Sequence, residues 1–416
     1  MKITLLTAYF YPEITAATHL LSDLAEDFAE YGAEVTVVTS MPTRGIDEET
    51  RKAYQGRNNE KIGPNISIIR VGSDRNESKN FIARAFRYGL HAYLIYHTAK
   101  RIESDVYLVS STPPFLGIVG AFLSKKTPTV YNLQDVFPDS LVNAGKTKEG
   151  SLLIRICRRV ERYIYKKQTH IITISRDFKN LLLDRETPEN KISTIYNWID
   201  ENQVVAVPRK DNVLISRYGL SRDKFYVTYC GNIGYSQNLE MIVDIAKELA
   251  EGFLDLGFVF VGDGGWKNNI EKYIKDRVAE NVFLLPFQPH EEISHVMSLG
   301  DVSLVCSKAN VGTSSFPSKT WSIMSANRSV LCSFDVDSEL CEIIKNARCG
   351  ICVPPDDKMA LKDAITYAYE HREEMKDLGS NGRKYIETNL SRKAATLQYF
   401  EVLTKVAEKG RRRSVI

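Results

Sequence analysis

The chain has 416 residues, which is more than a single hydrophobic core usually serves, so two domains are expected. With 43% hydrophobic and 26% charged residues, its composition is that of a soluble globular protein. The 55 basic and 52 acidic residues leave a net charge of +3, which is too balanced to indicate nucleic acid as a partner. The longest apolar runs, such as residues 116–123, are far shorter than the roughly 20 residues that span a bilayer, so no membrane-crossing segment is predicted.

The first half of the chain alternates predicted strands and helices. The predicted strands are residues 2–10, 33–40, 65–71, 105–111, 127–135 and 170–175. The first run has Lys2 as its only basic residue and ends at Pro12, which argues against a signal peptide. Residues 18–32 carry apolar side chains at helical spacing and end in Gly32, a suitable helix stop. The order strand, helix, strand implies a parallel sheet.

The same alternation restarts after a polar, irregular stretch near residues 201–224. The predicted strands of this half are residues 224–232, 256–264, 281–288, 302–307, 329–334 and 350–355. Two doubly wound α/β domains in tandem are therefore predicted. In such sheets ligands bind beyond the carboxyl ends of the strands, and two sheets facing each other would form a cleft between the domains.

The seven cysteines show no disulfide framework, and reduced thiols in a cytoplasmic protein are the simplest interpretation. Cys349 and Cys352 match C-x-x-C, but no second pair or nearby histidine completes a zinc site, so both are interpreted as structural. Asp335 and Asp337 have a metal-binding spacing but lie in a predicted surface loop. The sequence therefore predicts no required metal and no other cofactor.

The loop after the first strand leads into the N-terminus of the first helix. A helix N-terminus presents free N–H groups, which suit a phosphate or a sugar hydroxyl. The loop carries Tyr9, Tyr11, Pro12 and Glu13 but no G-x-G-x-x-G dinucleotide fingerprint. A ligand-binding loop and a plain turn around Pro12 both remain open.

Two loops in the second half repeat one plan, in which a strand is followed by glycines and then by a helix. Their candidate residues are Gly231, Asn232, Gly234, Gln237, Gly262 and Gly264. The glycines let the backbone turn and approach a ligand, and the two amides supply neutral hydrogen-bond donors. Tight turns alone would explain either loop, but both lie at the same sheet edge of one domain, which favours a phosphorylated ligand.

A hydroxyl-rich loop after residues 302–307 enters a predicted helix at Ser318 or Lys319. Backbone N–H groups at that point suit a diphosphate, and Lys319 adds a full positive charge. A lysine at a helix N-terminus is unfavourable by itself, whereas a bound anion reverses the sign. The alternative is that Ser318 is only an N-cap and Lys319 a solvated residue. The candidate donor-binding residues of this stretch are Ser314, Ser315, Pro317, Ser318 and Ser322.

Asp135 and Asp139 follow a predicted strand of the first domain. Asp135 is expected to face the ligand edge of the sheet, whereas Asp139 is expected to begin a helix. Their spacing is not evidence for a glycosidase pair, because a sequence does not give the distance between two carboxylates.

Two segments of the first domain are strongly basic. Residues 79–101 contain five lysines or arginines and no acidic residue, and residues 155–167 contain six against a single glutamate. Apolar side chains share one helical face and basic ones another, which is typical of an interfacial helix on anionic lipid. The alternative is a helix packed on the sheet with a basic outer face. The predicted membrane-surface residues are Arg84, Arg87, Arg158, Arg159 and Lys166.

Taken together, these stretches resemble glycosyltransferases of family 4, which have the two-domain GT-B fold. The resemblance covers essentially the whole chain and is nearest to the bacterial branch that builds capsule, O-antigen or colanic-acid-type exopolysaccharide and includes L-fucosamine-type transferases. It is carried by the stretches YFYPE, LQDVFPDS, ITISRDF, IYNWID, YCGNIGYSQNLE, FVGDGG and FPSKTWSIMS. The implied domains are an acceptor domain over residues 1–203, a nucleotide-sugar domain over residues 204–385, and a helix over residues 386–416 that returns to the N-terminal domain and ends in a basic tail.

The resemblance implies transfer of a sugar from a nucleotide-diphosphate sugar, by default a UDP-sugar, with retention at the anomeric carbon. The implied acceptor is a polyprenyl-diphosphate-linked saccharide, which places the chain in the cytoplasm at the inner, anionic face of the cell membrane. In the family the leaving diphosphate takes the acceptor's proton, so no dedicated base is needed. Catalysis then depends on positioning and on donors aimed at the diphosphate.

The chain departs from the family's pattern at the donor site. The two glutamates that are usual eight positions apart fall at Ser314 and Ser322, and the usual Arg and Lys pair falls at Asn232 and Gln237. Lys319 is then the substitute for the positive charge that is lost at the phosphates.

Three weaker assignments also come from the resemblance. The family's cleft histidine falls near Gln134 or Asp135, and Asp135 is predicted to contact the transferred sugar or to orient the acceptor hydroxyl. The donor base is expected near Phe287 and the ribose near residues 262–264.

Two other functions fit the same fold. A UDP-sugar 2-epimerase would need acid and base carboxylates in the cleft and no membrane surface. A non-catalytic partner that binds a sugar nucleotide for an assembly gains weight from the missing glutamates. Nucleotide release, a new sugar nucleotide, or no product would distinguish a transferase, an epimerase and a binding protein.

Overall fold

The computed structural model describes residues 1–13, 18–73, 81–139, 142, 147–148, 150–310 and 316–414, with all their side chains except those of residues 81–85, 290 and 412–414. The chain divides into two compact units. The first takes in residues 1–140, 147–197 and 393–416, and the second takes in residues 141–146 and 198–392. The functional domain limits at residues 203 and 385 stay a prediction.

The first unit is built on a sheet of eight strands among the described residues. In chain order they are β1 Lys2–Leu6, β2 Glu34–Ser40, β3 Asn59–Ile62, β4 Ile66–Val71, β5 Val106–Ser110, β6 Thr129–Leu133, β7 His170–Thr173 and β8 Ile192–Thr194. They lie in the order β3-β4-β2-β1-β5-β6-β7-β8, and only β3 pairs antiparallel to its neighbour. The central strands are almost wholly buried, as apolar strands of a parallel sheet covered on both faces must be. The sequence analysis missed the short β3 and β8.

Helices connect these strands. They are α1 Thr18–Glu30, α2 Glu48–Tyr54, α3 Phe81–Ala99, α4 Phe115–Leu123, α5 Leu152–Lys167 and α6 Arg176–Asp184. The first helix ends where predicted, because Gly32 adopts a φ of +85° that side chains disfavour. The fifth helix begins after Ser151, whose hydroxyl accepts a hydrogen bond from the N–H of Ile154.

The second unit contains a fully parallel sheet, six-stranded among the residues described. Its strands are β9 Phe225–Cys230, β10 Leu256–Val261, β11 Val282–Leu285, β12 Val302–Cys306, β13 Ser329–Ser333 and β14 Gly350–Val353. They lie in the order β11-β10-β9-β12-β13-β14. All six were predicted from apolar runs, and their boundaries are confirmed to within a few residues at each end.

The helices of this unit separate the strands in the chain. They are α7 Val213–Arg217, α8 Leu239–Leu249, α9 Lys267–Arg277, α10 Ile293–Met297, α11 Lys319–Ser325, α12 Glu339–Ala347, α13 Lys358–Glu370 and α14 Arg372–Asn389. Apolar side chains of α8 and α13 pack with β9 and β10 into one buried core. The α/β class predicted from the alternating pattern is thus confirmed in both units.

The last helix, α15 Arg392–Ser414, belongs to the first unit. Phe400 packs on Phe28 of α1, with ring centres 5.8 Å apart. Lys393 forms an ion pair with Asp27 at 3.0 Å, and Asp27 is fully buried. These contacts fix α15 to the same unit as the first strand, although more than 350 residues separate the partners in the chain.

Among the described helices, each is either too short or too polar to traverse a lipid bilayer.

Candidate functional site

In each sheet the strand order reverses at one point, where the chain stops adding strands to one side of the first central strand and begins to add them to its other side. In the second unit this point lies between β9 and β12, and in the first unit between β1 and β5. Loops leaving two such strands diverge, which opens a crevice beyond their carboxyl ends where α/β proteins bind ligands. Most of the predicted site residues lie in these loops.

Lys319 lies at this point of the second unit. Its ammonium nitrogen is 3.7 Å from the centre of the Tyr229 ring, near the end of β9. Its Cδ is 3.7 Å from the position that a Cβ on Gly231 would take. The thiols of Cys230 and Cys306, which end β9 and β12, act on it electrostatically. Lys319 therefore lies between the carboxyl ends of the two strands that border the crevice.

The positive charge of Lys319 has no carboxylate partner among the described residues. The side chain is half-buried, and desolvation lowers the pKa of Lys319 below its ordinary value. Burial raises the pKa of Cys230 to about 12 and that of Cys306 to about 11, so neither thiol neutralises the lysine at pH 7. A cation that is partly desolvated and has no counter-ion favours a bound anion.

The loops after β9 and β10 pack directly against each other. The N–H of Ile233 donates a hydrogen bond of 2.8 Å to the carbonyl of Asp263. A Cβ on Gly262 would lie 1.9 Å from the carbonyl oxygen of Gly231, and one on Gly264 would lie 2.3 Å from that of Ile233. The close approach of two backbones therefore requires these glycines, whatever they bind. Their contact with a ligand stays a prediction.

The two predicted amide donors of this edge have different surroundings. Gln237 shapes its own turn, because its Oε1 accepts from the N–H of Gly234 at 3.0 Å and its Nε2 donates to Ser236 at 3.0 Å. Asn232 is exposed, and its carbonyl accepts a 2.6 Å hydrogen bond from the hydroxyl of Tyr229. Asn232 is thus the amide that is open to solvent.

Sequence reasoning missed a group of side chains beside the glycine loops. Tyr235 lies edge-on to Trp266, with ring centres 5.2 Å apart. The ammonium nitrogen of Lys308 is 3.1 Å from the centre of the Tyr235 ring, and the indole N–H of Trp266 donates to Glu240. Tyr235, Trp266 and Lys308 each lie in a loop that follows a parallel strand, and this position is the sequence signal that would have identified them.

The remaining donor-side predictions lie around the same edge. Phe287 follows β11 and is 60% exposed, so its ring is free to stack on a base. Ser318 occupies the N-cap position of α11, but its exposed side chain makes no capping hydrogen bond, so the simple N-cap interpretation does not account for it. Pro317 and Ser322 are half-buried. Ser314 and Ser315 lie outside the described residues.

In the first unit, the loop after β1 carries the predicted acceptor-side residues. Tyr9 is buried, its hydroxyl lies 2.9 Å from that of Tyr88, and the guanidinium of Arg44 lies 4.7 Å from the centre of its ring. Tyr11 is 55% exposed and Pro12 is half-buried. Only Tyr11 therefore offers a large open surface.

Glu13 is a buried carboxylate in this loop, only 3% exposed. Its Oε1 accepts hydrogen bonds from the backbone N–H groups of Thr43 at 2.7 Å and Arg44 at 2.9 Å, while its Oε2 has no hydrogen-bond partner among the residues that the structure describes. Burial raises the pKa of Glu13 to about 7, although these hydrogen bonds oppose the shift. Glu13 therefore joins the loop after β1 to the loop after β2.

Asp135 follows β6 and is exposed. Its neighbour Gln134 is held internally, because its Nε2 donates to Asn132 at 2.8 Å and its Oε1 accepts from Asn197 at 2.7 Å. Of the two positions that align with the family's histidine, Asp135 is thus the one accessible to a ligand. A contact of Asp135 with sugar stays a prediction.

Three neighbouring helices of the first unit expose apolar and basic side chains together, since α4 packs against both α3 and α5. We call these side chains the apolar–basic surface. They are Phe86, Leu90, Tyr93, Phe115, Phe122, Leu152, Ile156, Val160 and Tyr163, with Arg155, Arg159, Arg162 and Lys166. The apolar face of α3 points to solvent, while His91 on its other face is buried and lies 2.9 Å from Ser40.

The predicted membrane-surface residues differ in exposure and in their partners. Arg159 and Lys166 are exposed. Arg158 is a correction: its guanidinium forms two hydrogen bonds with Asp139, at 2.6 and 2.7 Å, so its charge is already neutralised within the protein. Arg87 is half-buried beside a small cavity, and the side chain of Arg84 lies outside the described residues.

Asp139 is the centre of an ion-pair network beneath α5. It also binds Arg185 at 2.8 Å, and Arg185 contacts the buried Glu161. Burial opposes ionisation of Asp139, but the hydrogen bonds from the two arginines outweigh it and lower its pKa. This network holds the inner face of α5, which leaves its outer face to solvent.

Two family models match successive parts of the chain. The model described as Glycosyltransferase Family 4 matches residues 17–203, and the model described as Glycosyl transferases group 1 matches residues 212–385.

Curated relatives match most of the chain. It is 26% identical to the probable glycosyltransferase WbjE of Pseudomonas aeruginosa over 79% of this chain and 82% of that protein. It is 25% identical to the putative colanic acid biosynthesis glycosyl transferase WcaI of Escherichia coli K12 over 88% of this chain and 92% of that protein. A galactosyltransferase of Escherichia coli, whose name gives UDP-Gal as donor and a diphosphoundecaprenol-linked sugar as acceptor, is 25% identical over 46% of this chain and 54% of its own length.

A solved structure has the same fold. The crystal structure of Anabaena HepE in complex with UDP and glucose superimposes with a TM-score of 0.72 at 17% identity and covers 97% of this chain and 100% of that chain. This likeness confirms the predicted architecture of two Rossmann-like units.

Proposed function

We propose a specific reaction on the premise that this chain belongs to the group 1, family 4 glycosyltransferases of the GT-B fold, as the two family matches together show. It transfers a sugar from a UDP-sugar to a lipid-linked saccharide in the biosynthesis of a bacterial surface polysaccharide, with retention at the anomeric carbon. The names of the relatives that build colanic acid and use a diphosphoundecaprenol acceptor support this assignment.

In the proposed step the bond between the anomeric carbon and the diphosphate oxygen breaks, and the acceptor oxygen forms a bond to the same carbon. The hydroxyl proton of the acceptor moves to the departing diphosphate, so no separate base is required. Negative charge grows on the diphosphate as the bond breaks, and a positive group positioned there lowers the barrier.

The observation that carries this proposal is the ammonium group of Lys319 between the ends of β9 and β12, for which the described residues supply no carboxylate partner. The usual cationic pair of the family is absent, because Asn232 and Gln237 occupy its positions. Lys319 therefore supplies the charge for the diphosphate, and the ring of Tyr229 holds the lysine in place until the anion arrives.

Nucleotide binding tests this role directly. Calorimetric titration of Lys319→Ala with UDP should give a Kd raised by about 10- to 100-fold, the value of one charge-assisted hydrogen bond. Uridine, which lacks phosphates, should bind the variant and the parent protein equally. Lys272→Ala, which removes an exposed lysine from α9, is the matched control and should bind UDP normally.

An equal loss of UDP and uridine would mean that Lys319 supports the fold of the site rather than the diphosphate. Unchanged UDP binding would remove the lysine from the donor site altogether. Sugar products from a panel of UDP-sugars then separate a transferase from an epimerase, since only the epimerase releases a new sugar nucleotide.

The apolar–basic surface supports the choice of a lipid-linked acceptor. Leu152 is 72% exposed and Phe86 is 75% exposed, and burying such side chains in a lipid interface gains about 25 cal/mol per Å². Exposed arginines and lysines on α5 flank the apolar stripe, and each adds roughly 1 kcal/mol near an anionic bilayer. We propose that this surface rests on the inner face of the cell membrane and brings the first unit to its acceptor.

Vesicle binding tests the surface separately from catalysis. The protein should sediment with phosphatidylglycerol vesicles and not with phosphatidylcholine vesicles, and the binding should weaken in high salt. The double variant Leu152→Ser with Ile156→Ser should lose this binding but keep UDP affinity. Binding to neutral vesicles alone, or no binding, would remove the membrane from the proposal.

We also propose that the transfer proceeds without a metal. Activity measured after treatment with EDTA should equal that of the untreated protein, and dependence on added Mg²⁺ or Mn²⁺ would contradict this part of the proposal.

A further inference from the structure

Three cysteines that are far apart in the sequence meet in the second unit. Cys332 on β13 and Cys352 on β14 are register partners, so their side chains leave the sheet on the same face. Cys341 lies in the first turn of α12, which packs on β14. The three sulfur atoms all lie within 4.8 Å of one another.

The spacing of the sulfurs fits a metal site better than a disulfide. The Sγ atoms of Cys332 and Cys341 are 4.0 Å apart, whereas a disulfide needs about 2.05 Å. A metal–thiolate bond of about 2.3 Å in a trigonal arrangement places the sulfurs about 4.0 Å apart. The Sγ of Cys352 lies within 4.8 Å of the other two sulfurs, so the third sulfur needs only a small movement to complete the set.

The surroundings also suit a thiolate ligand set. Cys332 and Cys341 are buried and Cys352 is half-buried, so bulk water has little access to the centre of the cluster. Cys341 lies near the N-terminus of α12, where the positive end of the helix favours a thiolate. Metal binding would displace the thiol protons to solvent, and the charge of the ion would replace them.

We propose that Cys332, Cys341 and Cys352 form a three-thiolate site for one thiophilic metal ion of the Zn²⁺ or Cu⁺ class. Soft sulfur ligands select these ions over Mg²⁺ or Ca²⁺. A fourth protein ligand within the same distance is absent among the described residues, which favours the lower coordination number of Cu⁺, whereas Zn²⁺ would add a solvent molecule. The site ties β13, β14 and α12 together, and Cys332 also acts electrostatically on Lys319.

Cys349 offers a matched control within the same unit. It forms the local C-x-x-C pair with Cys352, but its Sγ points to the carbonyl oxygen of Ile344 at 3.6 Å and lies outside the cluster. If the sequence motif bound the metal, Cys349 would be essential. If the tertiary cluster binds it, Cys349 is dispensable and Cys332 is essential.

Metal titration of the full-length reduced protein tests the proposal. Cd²⁺, which reports thiolate ligands by an ultraviolet charge-transfer band, should bind at one ion per chain, and competition with Zn²⁺ and Cu⁺ then identifies the preferred ion. Cys332→Ser and Cys341→Ser should each weaken binding by about 100-fold, and Cys349→Ser should leave it unchanged. Thermal melts of each variant establish that it is folded.

A second measurement needs no variant. The unmodified protein, alkylated with iodoacetamide with and without Zn²⁺ or Cu⁺ and read by mass spectrometry, should show metal-dependent protection of the half-buried Cys352 and none of Cys157, which is also half-buried. Equal labelling with and without metal, or loss of binding in Cys349→Ser alone, would overturn the site. A disulfide among the three on mild oxidation, with no metal retained under reducing conditions, would also overturn it.

Discussion

The two units present opposite charges at equivalent points of their sheets. At the crevice of the second unit, Lys319 is a cation with no carboxylate partner in the described part of the chain, and burial lowers its pKa. At the corresponding point of the first unit, Glu13 is a buried carboxylate whose pKa burial raises to about 7. The two groups differ in their partners, because backbone N–H groups bind one oxygen of Glu13, whereas the ammonium of Lys319 packs on the Tyr229 ring.

Lys319 is thus a charge available to a ligand, whereas Glu13 is a group that stabilises the fold. A site that binds an anion must leave positive charge unsatisfied until the ligand arrives, and the second unit does so. In the first unit, backbone N–H groups bind one oxygen of Glu13 and two arginines bind Asp139. Substitution of Lys319 should therefore affect turnover, whereas substitution of Glu13 or of the arginines at Asp139 should affect stability.

The largest effect is expected at Lys319. Lys319→Ala should lower kcat/KM for transfer by about 100- to 1,000-fold, because the charge that develops on the diphosphate loses its stabilising group. Lys319→Arg should retain part of the activity, since the charge remains but the geometry changes. Initial rates of UDP release check this, with melting temperatures to show that both variants are folded. A fully active Lys319→Ala enzyme would break the comparison.

The next effect concerns the loops that hold the edge beside Lys319. Gly262→Ala should destabilise the protein by about 2–4 kcal/mol, because its Cβ would lie 1.9 Å from the carbonyl oxygen of Gly231. Gly265→Ala is the matched control, since nothing lies within 4 Å of the position of its Cβ. Urea unfolding of both variants gives the two free energies. Similar values for both would contradict the close packing of the loops.

Neighbouring arginines on α5 should behave differently from each other. Arg158→Ala should destabilise the fold by about 1–2 kcal/mol, because it removes one of the two guanidinium partners of Asp139. Arg159→Ala should leave the free energy of unfolding unchanged and weaken binding to anionic vesicles instead. Chemical denaturation and vesicle sedimentation of the same two proteins supply the comparison. The reverse pattern would mean that Arg158 is the lipid-facing residue.

The last expected effect is a dependence of stability on pH that comes from Glu13. Its pKa rises from the ordinary 4.5 to about 7 on folding, so between these values the folded state binds more protons than the unfolded state. Stability should then fall as pH increases through this window, by about 1–3 kcal/mol in total. Glu13→Gln should flatten this slope while its amide oxygen keeps the hydrogen bonds to the N–H groups of Thr43 and Arg44. Melting curves from pH 4.5 to 7.5 check the slope, and an unchanged slope would show that another group titrates.

The fold was largely predictable because buried parallel strands appear in the sequence as short runs of neighbouring apolar residues. Short, continuous runs of apolar and aromatic residues such as 225–230 and 256–261 favour buried strands, and helices with one apolar face follow them. The two strands that were missed, β3 and β8, are short and lie at the edges of their sheet, where partial burial leaves a weak pattern.

The candidate site was predictable only in part. Lys319 stands out in the sequence because a lysine opens an otherwise apolar helix, and the glycines stand out because each follows a strand. Tyr235, Trp266 and Lys308 also follow strands, but no local pattern indicates that they associate, because their contacts depend on three separate loops meeting at one sheet edge. The same holds for Arg158 and Arg159, which look identical in the sequence and differ only in the side of α5 that faces Asp139.

The sequence by itself determined the alternation of strands and helices, the two-domain α/β architecture and the position of Lys319 at a helix start, because these depend on residues that are close in the chain. Only the tertiary structure decided that the thiols of Cys332, Cys341 and Cys352 meet while Cys349 is excluded and that Glu13 is buried. It also decided that, within the residues it describes, one oxygen of Glu13 lacks a hydrogen-bond partner and Lys319 lacks a counter-ion. Those properties depend on which side chains other elements bring together, and strand order, register and helix orientation set these contacts without leaving a local pattern in the sequence.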